Sequence, residues 1–374
     1  METRTEKRKV CIIGNNANGG TISDGGRIKI RLYQSLLRRS CIECDIVDLY
    51  KFYFHLFAIF KKIKKAIKEK CVVLIMAGPR GCRIIIPILN YLNRKTKTRI
   101  VFCPLGIGTI DVLVKKMDEH QLYNFMNCVD DCGVTDSRMK KELEKLDLII
   151  PQNKILVDVY GWFYGLKNVS LLNNFRDADI VPKEYKTKKT MHLIYLSRVC
   201  KSKGVFDLIK AVTKNNEQEK LFYLDIFGEL QLKNDEKELF FKSLSDEIKY
   251  NGVVNHNETI SLLKKYDLFV FPTKYHGEGT PGSLIEAFIS GTPVLVSSYN
   301  QSRLLIQENS TGFIFSIGNE NDLADKLTRL YNNQSELERV GKNAQRESAV
   351  YTYQNNKNTF LKMIMGENNE NINC

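Results

Sequence analysis

Two glutamates near residue 280 have the types and spacing that most clearly indicate chemistry in this chain. Glu278 lies in a glycine-rich loop after the apolar run DLFVFP, and Glu286 lies eight residues later among apolar residues, in EGTPGSLIEAFISGTPVLVSS. A buried ionised carboxylate is costly unless it is paired or hydrogen-bonded. The hydroxyls of a ribose would satisfy Glu286, because a carboxylate accepts two hydrogen bonds. The alternative is that Glu278 is solvated and Glu286 pairs with a structural arginine or lysine.

The segment between these glutamates predicts an anion site. Thr280 is expected to be the N-cap of a helix and Pro281 its first residue, while Gly291 is expected to close the helix after Ser290. The first backbone N–H groups would then lack acceptors and would face a phosphate together with the positive end of the helix dipole. These N–H groups belong to Gly282, Ser283 and Leu284.

A second group of cations follows another predicted strand, in LIYLSRVCKSKGVFDLIKAV, residues 193–212. Arg198, Lys201 and Lys203 would lie at the carboxyl end of that strand, where two or three cations suit a diphosphate. Surface lysines exposed to water are the alternative. In open α/β sheets ligands bind beyond the carboxyl ends of the strands, so both groups lie where chemistry is expected.

A glycine-rich stretch, GNNANGGTISDGG, follows the first predicted strand. Gly19 and Gly20 would let the backbone approach an anionic ligand closely. The stretch lacks the G-x-G-x-x-G order of a dinucleotide site, which argues against an NAD enzyme.

Strands and helices alternate along the whole chain, as in βα units on parallel sheets. The predicted strands are KVCIIG, CDIVDL, CVVLIMA, RIVFCP, CVDDCGVTD, HLIYLS, KLFYLDIFG, IKYNGVV, DLFVFP and TPVLVSS. A polar, basic stretch ending near residue 190 is a plausible linker. We therefore expect an α/β protein of two Rossmann-like, doubly wound domains facing a cleft, with residues 1–180 in the first and 181–350 in the second.

Composition limits the other functions. No apolar run approaches the ~20 residues of a membrane span, and the first residues lack the apolar region of a signal peptide, so we expect a cytoplasmic protein.

Ten cysteines and five histidines show no paired metal-ligand spacing, which predicts reduced thiols and no metal. The Asp177-Ala178-Asp179 triplet could bind a metal, but it falls in the predicted linker. A net charge of +13 favours an anionic partner, although no nucleic-acid-binding module is recognisable.

Together these segments resemble the retaining glycosyltransferases of the GT-B fold, the glycosyltransferase family 4-like enzymes of surface-polysaccharide type with a Glu-x7-Glu motif. The resemblance is carried by EGTPGSLIEAFISGTPVLVSS and LSRVCKSKGVFDLIKAV. It is specific over about residues 190–320 and looser before residue 180. Ser197 replaces the family's glycine before Arg198, and IVFCPLGIGT lacks the histidine that relatives often place after the fourth strand. His120 and His276, near relevant loops, are better explained as ordinary histidines.

The resemblance implies a nucleotide-diphosphate-sugar donor and a saccharide acceptor, without a cofactor or metal. Arg198 and Lys203 would hold the diphosphate as catalytic cations, Glu286 the ribose, and Glu278 the donor sugar. The backbone of Gly279, Thr280 and Gly282 would assist, and Ser283, Leu284, Gly19 and Gly20 complete the implied donor site. Residues 351–374 would form a helix crossing back to the first domain and a disordered tail.

The acceptor side is less defined. Residues 51–70, KFYFHLFAIFKKIKKAIKEK, could form an amphipathic helix on an anionic membrane surface, with Phe52, Phe54, Phe57 and Phe60 as anchors. An ordinary helix with a solvated lysine face is the alternative. Relatives that use lipid-linked acceptors favour peripheral association with the inner face of the cell membrane. A nucleotide-sugar epimerase of the same fold, or a non-catalytic basic binding protein, remains an alternative function.

Overall fold

The computed structural model describes residues 9–16, 25–50, 55–105, 137–275, 278–299 and 302–366. The chain divides into two compact units, one of residues 1–174 with 356–374 and one of residues 175–355. This division assigns residues 175–180 to the second unit, whereas the sequence placed the boundary at 180.

The first unit contains a five-stranded parallel sheet in the order β2-β1-β3-β4-β5. Its strands are β1 Lys9–Gly14, β2 Glu43–Asp48, β3 Val72–Met76, β4 Ile100–Phe102 and β5 Leu148–Ile149. The apolar run of β3 is buried along almost its whole length, as expected of a parallel strand that is covered on both faces.

The helices of the first unit carry apolar residues at helical spacing. They are α1 Gly25–Arg39, α2 Leu56–Lys68, α3 Pro79–Asn93, α4 Ser137–Leu143 and α5 Lys154–Val157, followed by a π-helical turn, Asp158–Phe163. In α1, for example, the buried apolar residues are Ile30, Tyr33, Leu36 and Leu37, which lie three or four positions apart and therefore share one face.

The second unit contains a six-stranded parallel sheet in the order β11-β10-β9-β6-β7-β8. Its strands are β6 Met191–Leu196, β7 Phe222–Phe227, β8 Ile248–Tyr250, β9 Leu268–Phe271, β10 Val294–Ser297 and β11 Phe313–Phe315. Strands β9 and β6 are neighbours in the middle of the sheet, so the loops that follow them start side by side.

Helices follow these strands and continue to residue 365. They are α6 Val205–Asn215, α7 Asn234–Lys242, α8 Thr259–Leu263, α9 Gly282–Ser290, α10 Ser302–Leu305, α11 Glu320–Asn332, α12 Gln334–Glu347 and α13 Tyr353–Met365, with short 3-10 turns at Lys201–Lys203, His256–Glu258 and Ser348–Tyr351. Every residue of α9 from Leu284 to Ser290 is buried. Such a helix has no solvent face, so its single glutamate must be satisfied inside the protein or by a ligand.

The last part of α13 packs within the first unit. Arg99 donates from Nε to the carbonyl oxygen of Ile364 at 3.0 Å and from Nη2 to that of Met363 at 2.9 Å. Phe360 meets Tyr33 of α1 edge to face, with ring centroids 4.7 Å apart. These contacts explain why residues from 356 onward group with the first unit.

All nine predicted strands that fall in the described segments are present, and two observed strands were not predicted. Strands β5 and β11 are only two and three residues long, too short for a periodic pattern. The predicted strand at residues 128–136 lies outside the described residues. In the described part of the chain, no helix is long and apolar enough to cross a bilayer.

One cysteine departs from the expected reduced state. Cys41 is disulfide-bonded, whereas every other cysteine in the described segments is free: Cys11, Cys44, Cys71, Cys82, Cys103 and Cys200. Since Cys44 is free, Cys41 is not bonded to the nearby Cys44.

Candidate functional site

The loops after β6 and β9 meet at the backbone. The two strands are paired in parallel, with Leu193 opposite Leu268 and Ile194 opposite Phe269. Gly204, in the loop after β6, has φ +72°, and a Cβ built on it would lie only 1.9 Å from the carbonyl oxygen of Pro272. A glycine is therefore required here for both its left-handed backbone and the space.

This approach brings Lys203 and Glu278 into contact. Lys203 is 4% exposed, and its Nζ donates to Glu278 Oε2. The same oxygen accepts a hydrogen bond from Thr273 Oγ1 at 3.2 Å. The Lys203 ammonium also lies 5.0 Å from the ring centroid of Tyr275. Glu278 is thus paired rather than solvated, and the two residues that the sequence assigned to diphosphate and donor sugar share one site.

The other cations of this loop lie elsewhere. Arg198 donates from Nη1 to Gln231 Oε1 at 3.3 Å, in the loop after β7, and the structure gives it no contact with Glu278. Lys201 is largely exposed and pairs with Glu236 at 3.1 Å. The expectation of three clustered cations is therefore wrong for Lys201, which behaves as a surface lysine.

Helix α9 begins one residue later than predicted. Pro281 is the N-cap, with φ −64° and ψ 134°, and no side chain caps the helix. The prediction that Thr280 is the N-cap is therefore wrong. The ring of Pro281 fixes φ near −65°, a value that helices also use, but its ψ is extended, so Pro281 precedes the helix instead of starting it. The backbone N–H groups of Gly282, Ser283 and Leu284 still lack intrahelical acceptors, as every first turn does. The predicted end is confirmed, since Gly291 closes the helix with φ +75°.

Glu286 has protein partners. It is 3% exposed, and its Oε1 accepts a hydrogen bond from Arg176 Nε at 2.6 Å. The Nδ1 of His256 lies 3.4 Å from the same oxygen. The structure therefore contains the arginine pair that the sequence left as an alternative. The expectation that only a ligand completes the hydrogen bonds of Glu286 is wrong for Oε1.

The surroundings of His256 disfavour its protonated form. Burial lowers its pKa below the ordinary value of 6.5, the Glu286 carboxylate opposes this, and the positive charge of Arg176 lowers the pKa further. The pKa therefore stays below the ordinary value although a carboxylate is adjacent, because desolvation penalises the charged imidazole more than the carboxylate favours it.

Arg176, His256 and Tyr299 were not recognised from the sequence. Arg176 lies at the start of the second unit, and its pairing with Glu286 spans 110 residues, so no local pattern indicates it. Tyr299 follows β10, and its buried hydroxyl has no hydrogen-bond partner in the described segments. Burial, and next the negative charge of Glu278, raise the pKa of Tyr299. The only feature of the sequence that could have indicated Tyr299 is its position just after a predicted strand.

The structure does not describe every predicted residue. Gly19, Gly20, His120 and His276 lie outside the described residues. Gly279 belongs to the loop between Glu278 and α9 and is partly exposed. Among the residues that the structure describes, no three His, Cys, Asp or Glu side chains are grouped to hold a metal.

The chain is similar to known glycosyltransferases. Residues 177–347 match the family model of glycosyl transferases group 1. The chain is 28% identical over 231 residues to the poly(ribitol-phosphate) alpha-N-acetylglucosaminyltransferase of Staphylococcus aureus (strain COL), a match that covers 60% of this chain and 45% of that protein. It is 26% identical over 256 residues to the capsular polysaccharide biosynthesis glycosyltransferase CapM of Staphylococcus aureus, covering 66% and 62%. The chain thus spans less than two thirds of these relatives.

The fold is also that of a solved structure. The crystal structure of Anabaena HepE in complex with UDP-glucose superposes with a TM-score of 0.67 at 13% identity, covering 95% of this chain and 99% of that one. This likeness confirms the predicted α/β fold of two Rossmann-like units.

Proposed function

We propose that this protein transfers a sugar from a nucleotide-diphosphate sugar to a saccharide in bacterial surface-polysaccharide synthesis. Residues 177–347 match the family model of glycosyl transferases group 1, and the chain has the GT-B fold. The supporting observation is one connected site at the carboxyl ends of β6 and β9. It contains the Lys203–Glu278 pair, the uncapped start of α9 and the buried Glu286 on that helix.

The donor diphosphate binds at Lys203 and the first turn of α9. A buried ammonium and unpaired N–H groups at a helix start both favour a phosphate. Binding of the diphosphate to Lys203 releases the Glu278 carboxylate, which then accepts hydrogen bonds from hydroxyls of the donor sugar. Arg198 exchanges its side-chain hydrogen bond with Gln231 for the diphosphate, since a guanidinium offers five donors.

Transfer breaks the bond between the sugar C1 and the diphosphate oxygen and forms a bond from C1 to an acceptor hydroxyl oxygen. The acceptor proton passes to the leaving diphosphate, and attack from the leaving-group face retains the anomeric configuration. Lys203 and Arg198 stabilise the negative charge that develops on the leaving group. With two cations and a helix dipole in this role, we propose that the reaction requires no metal.

Acceptor-dependent release of nucleoside diphosphate tests this proposal. The protein is incubated with UDP-, GDP-, CDP- and ADP-sugars, with and without saccharides from bacterial surface polymers. We expect release with one donor class only when an acceptor is present, retained configuration by NMR, and no effect of EDTA. Release without an acceptor would contradict transfer, and interconversion of the sugar without transfer would indicate an epimerase.

Matched lysine variants connect the activity to the site. Lys203→Met removes a buried cation, so activity should fall roughly 100-fold or more. Lys210→Met removes an exposed lysine of α6 and should leave activity unchanged. Equal activity of the two variants would contradict the proposed role of Lys203.

The positive charge supports a membrane-associated, lipid-linked acceptor. Residues 1–174 contain 30 Lys and Arg against 17 Asp and Glu, whereas residues 175–355 contain 24 of each. The excess therefore lies in the unit that the resemblance assigns to the acceptor. A basic first unit is attracted to an anionic membrane surface, where a lipid-linked saccharide would be presented.

Helix α2 provides the contact surface. Its buried face consists of Ile59, Ile63, Ala66 and Ile67. Phe57 is 83% exposed and Phe60 41% exposed, and five exposed lysines follow them: Lys61, Lys62, Lys64, Lys65 and Lys68. Exposed aromatic residues beside lysines match the boundary of an anionic bilayer. Phe52 and Phe54, the other predicted anchors, lie outside the described residues.

Vesicle sedimentation tests this surface. We expect binding to phosphatidylcholine vesicles that contain phosphatidylglycerol, loss of binding at high salt, and no binding to phosphatidylcholine alone. Phe57→Ser combined with Phe60→Ser should abolish binding, whereas Leu239→Ser, at an exposed apolar residue of α7, should not. Binding that is unchanged in the phenylalanine variant would contradict the proposal.

A further inference from the structure

The two oxygens of Glu286 have different surroundings. Oε1 accepts a hydrogen bond from Arg176 Nε at 2.6 Å and lies 3.4 Å from His256 Nδ1. Within the described segments, Oε2 accepts no hydrogen bond. Oε1 thus accepts from Arg176 and faces His256, and Oε2 is the oxygen whose lone pairs a ligand can use.

Arg176 is held in place along its whole length. Its backbone N–H donates to the carbonyl oxygen of Tyr351 at 2.8 Å, and its own carbonyl accepts from the N–H of Tyr353 at 2.7 Å. At the other end, Nη1 donates to the carbonyl oxygen of Phe175 at 3.0 Å. The residue is 6% exposed. These contacts leave the guanidinium little freedom to move.

The guanidinium also lies across the first turn of α9. A Cβ built on Gly282 would come 1.7 Å from Arg176 Nη2 and 2.9 Å from its Cζ. Glu286 is four residues further along the helix, one turn away on the same face. Arg176 thus connects the helix start, which the proposed function assigns to the diphosphate, with the carboxylate that it assigns to the ribose.

We propose that Arg176 and His256 are positioning residues for donor recognition, because they hold Glu286 through Oε1 and leave Oε2 alone to accept a hydroxyl of the donor ribose. This proposal rests on the proposed function. It adds two residues to the donor site and specifies which oxygen of Glu286 accepts the ribose hydroxyl. A merely structural ion pair would stabilise the second unit without changing what the ribose hydroxyls contribute to affinity.

Calorimetric titration with UDP and with 2′,3′-dideoxy-UDP separates the two roles. The wild type should prefer UDP roughly 10- to 100-fold, the usual effect of a hydrogen bond to a charged group. In Arg176→Gln the preference should fall below about 3-fold, while the affinity for the dideoxy nucleotide stays near the wild-type value. Arg176→Lys should recover part of the preference. Arg329→Gln, at an exposed pair with Glu336, should keep all of it.

The His256 variants provide an independent comparison. His256→Phe removes the nitrogen that faces Oε1 and should reduce the preference for UDP. His256→Asn can present a side-chain N–H at a similar position and should keep most of it. If Arg176→Gln does not fold, this pair and Arg176→Lys decide the question.

The outcomes separate this proposal from the proposed function. A wild type that binds none of UDP, GDP, CDP and ADP would overturn both. A wild type that prefers UDP, combined with Arg176→Gln and His256→Phe variants that keep the full preference, would overturn only the positioning roles. If another nucleoside diphosphate binds instead of UDP, the same comparison is made with its dideoxy form.

Discussion

Replacing Gly282 by alanine should displace Arg176 without removing any charge. The added Cβ would meet Nη2 at 1.7 Å, far inside van der Waals contact. The end of an arginine can often move aside, but this guanidinium is buried and is bonded to Glu286 and to the carbonyl oxygen of Phe175. It can therefore move only by breaking a charge-assisted hydrogen bond inside the protein.

The expected loss of stability follows from these contacts. Breaking a hydrogen bond to a charged group costs about 1.5–3 kcal/mol, and the higher helix propensity of alanine offsets at most about 1 kcal/mol. We therefore expect Gly282→Ala to lose about 2 kcal/mol and to melt about 4–8 °C lower, for a unit of this size. On propensity alone, the same substitution would stabilise the helix.

Circular-dichroism melting curves of four variants test this expectation. Ser283→Ala, at the next position of the same turn, should stay close to wild type. In an Arg176→Ala background the clash is absent, so Gly282→Ala should become neutral or stabilising. A Gly282→Ala protein as stable as wild type, with Arg176 present, would refute the idea that the guanidinium is locked across α9.

Gly204→Ala should destabilise the protein by more than the ~1 kcal/mol of left-handed backbone strain, because its Cβ would lie 1.9 Å from a carbonyl oxygen of the loop after β9. Gly252→Ala, with φ +74° and open space around it, should show the strain alone, and equal melting temperatures for the two variants would refute the backbone contact. Since His256 has a lowered pKa, the unfolded state binds more protons as pH falls through 6.5, so stability should decrease there. Melting curves of His256→Phe should show a weaker decrease than wild type; an equal decrease would exclude His256 as the cause. Lys203→Met should destabilise the protein by leaving the half-buried Glu278 carboxylate without its cation, and adding Glu278→Gln should restore part of the melting temperature; no recovery would mean that the pair is not coupled.

The sequence predicts the layers of the fold well because alternating apolar and amphipathic segments reflect burial on parallel sheets. It misses β11, Phe313–Phe315, since three residues carry no measurable periodicity. It also misplaces the start of α9, since the ring of Pro281 fixes φ but not ψ.

The candidate site is predictable only in part. Lys203 and Glu278 follow strands that are neighbours in the sheet, so their proximity can be inferred from the end-of-strand rule. Arg176 could not be identified in the same way. The burial of Glu286 requires a partner, but selecting one cation 110 residues away requires the three-dimensional path of the chain within the second unit. Likewise, the glycine at 282 suits a helix start, yet its tight contact with Arg176 appears only in three dimensions.

Nucleotide binding to the Glu286 site tests the central claim most directly. Thermal-shift measurements are made with UDP, GDP, CDP and ADP on wild type, on Glu286→Ala and on Glu308→Ala, an exposed control. A nucleotide at 100 times its dissociation constant should stabilise the native state by about 2.7 kcal/mol. We predict that one nucleotide raises the melting temperature of wild type and Glu308→Ala but not of Glu286→Ala. No shift with any nucleotide, or the same shift in Glu286→Ala, would contradict the proposed donor site.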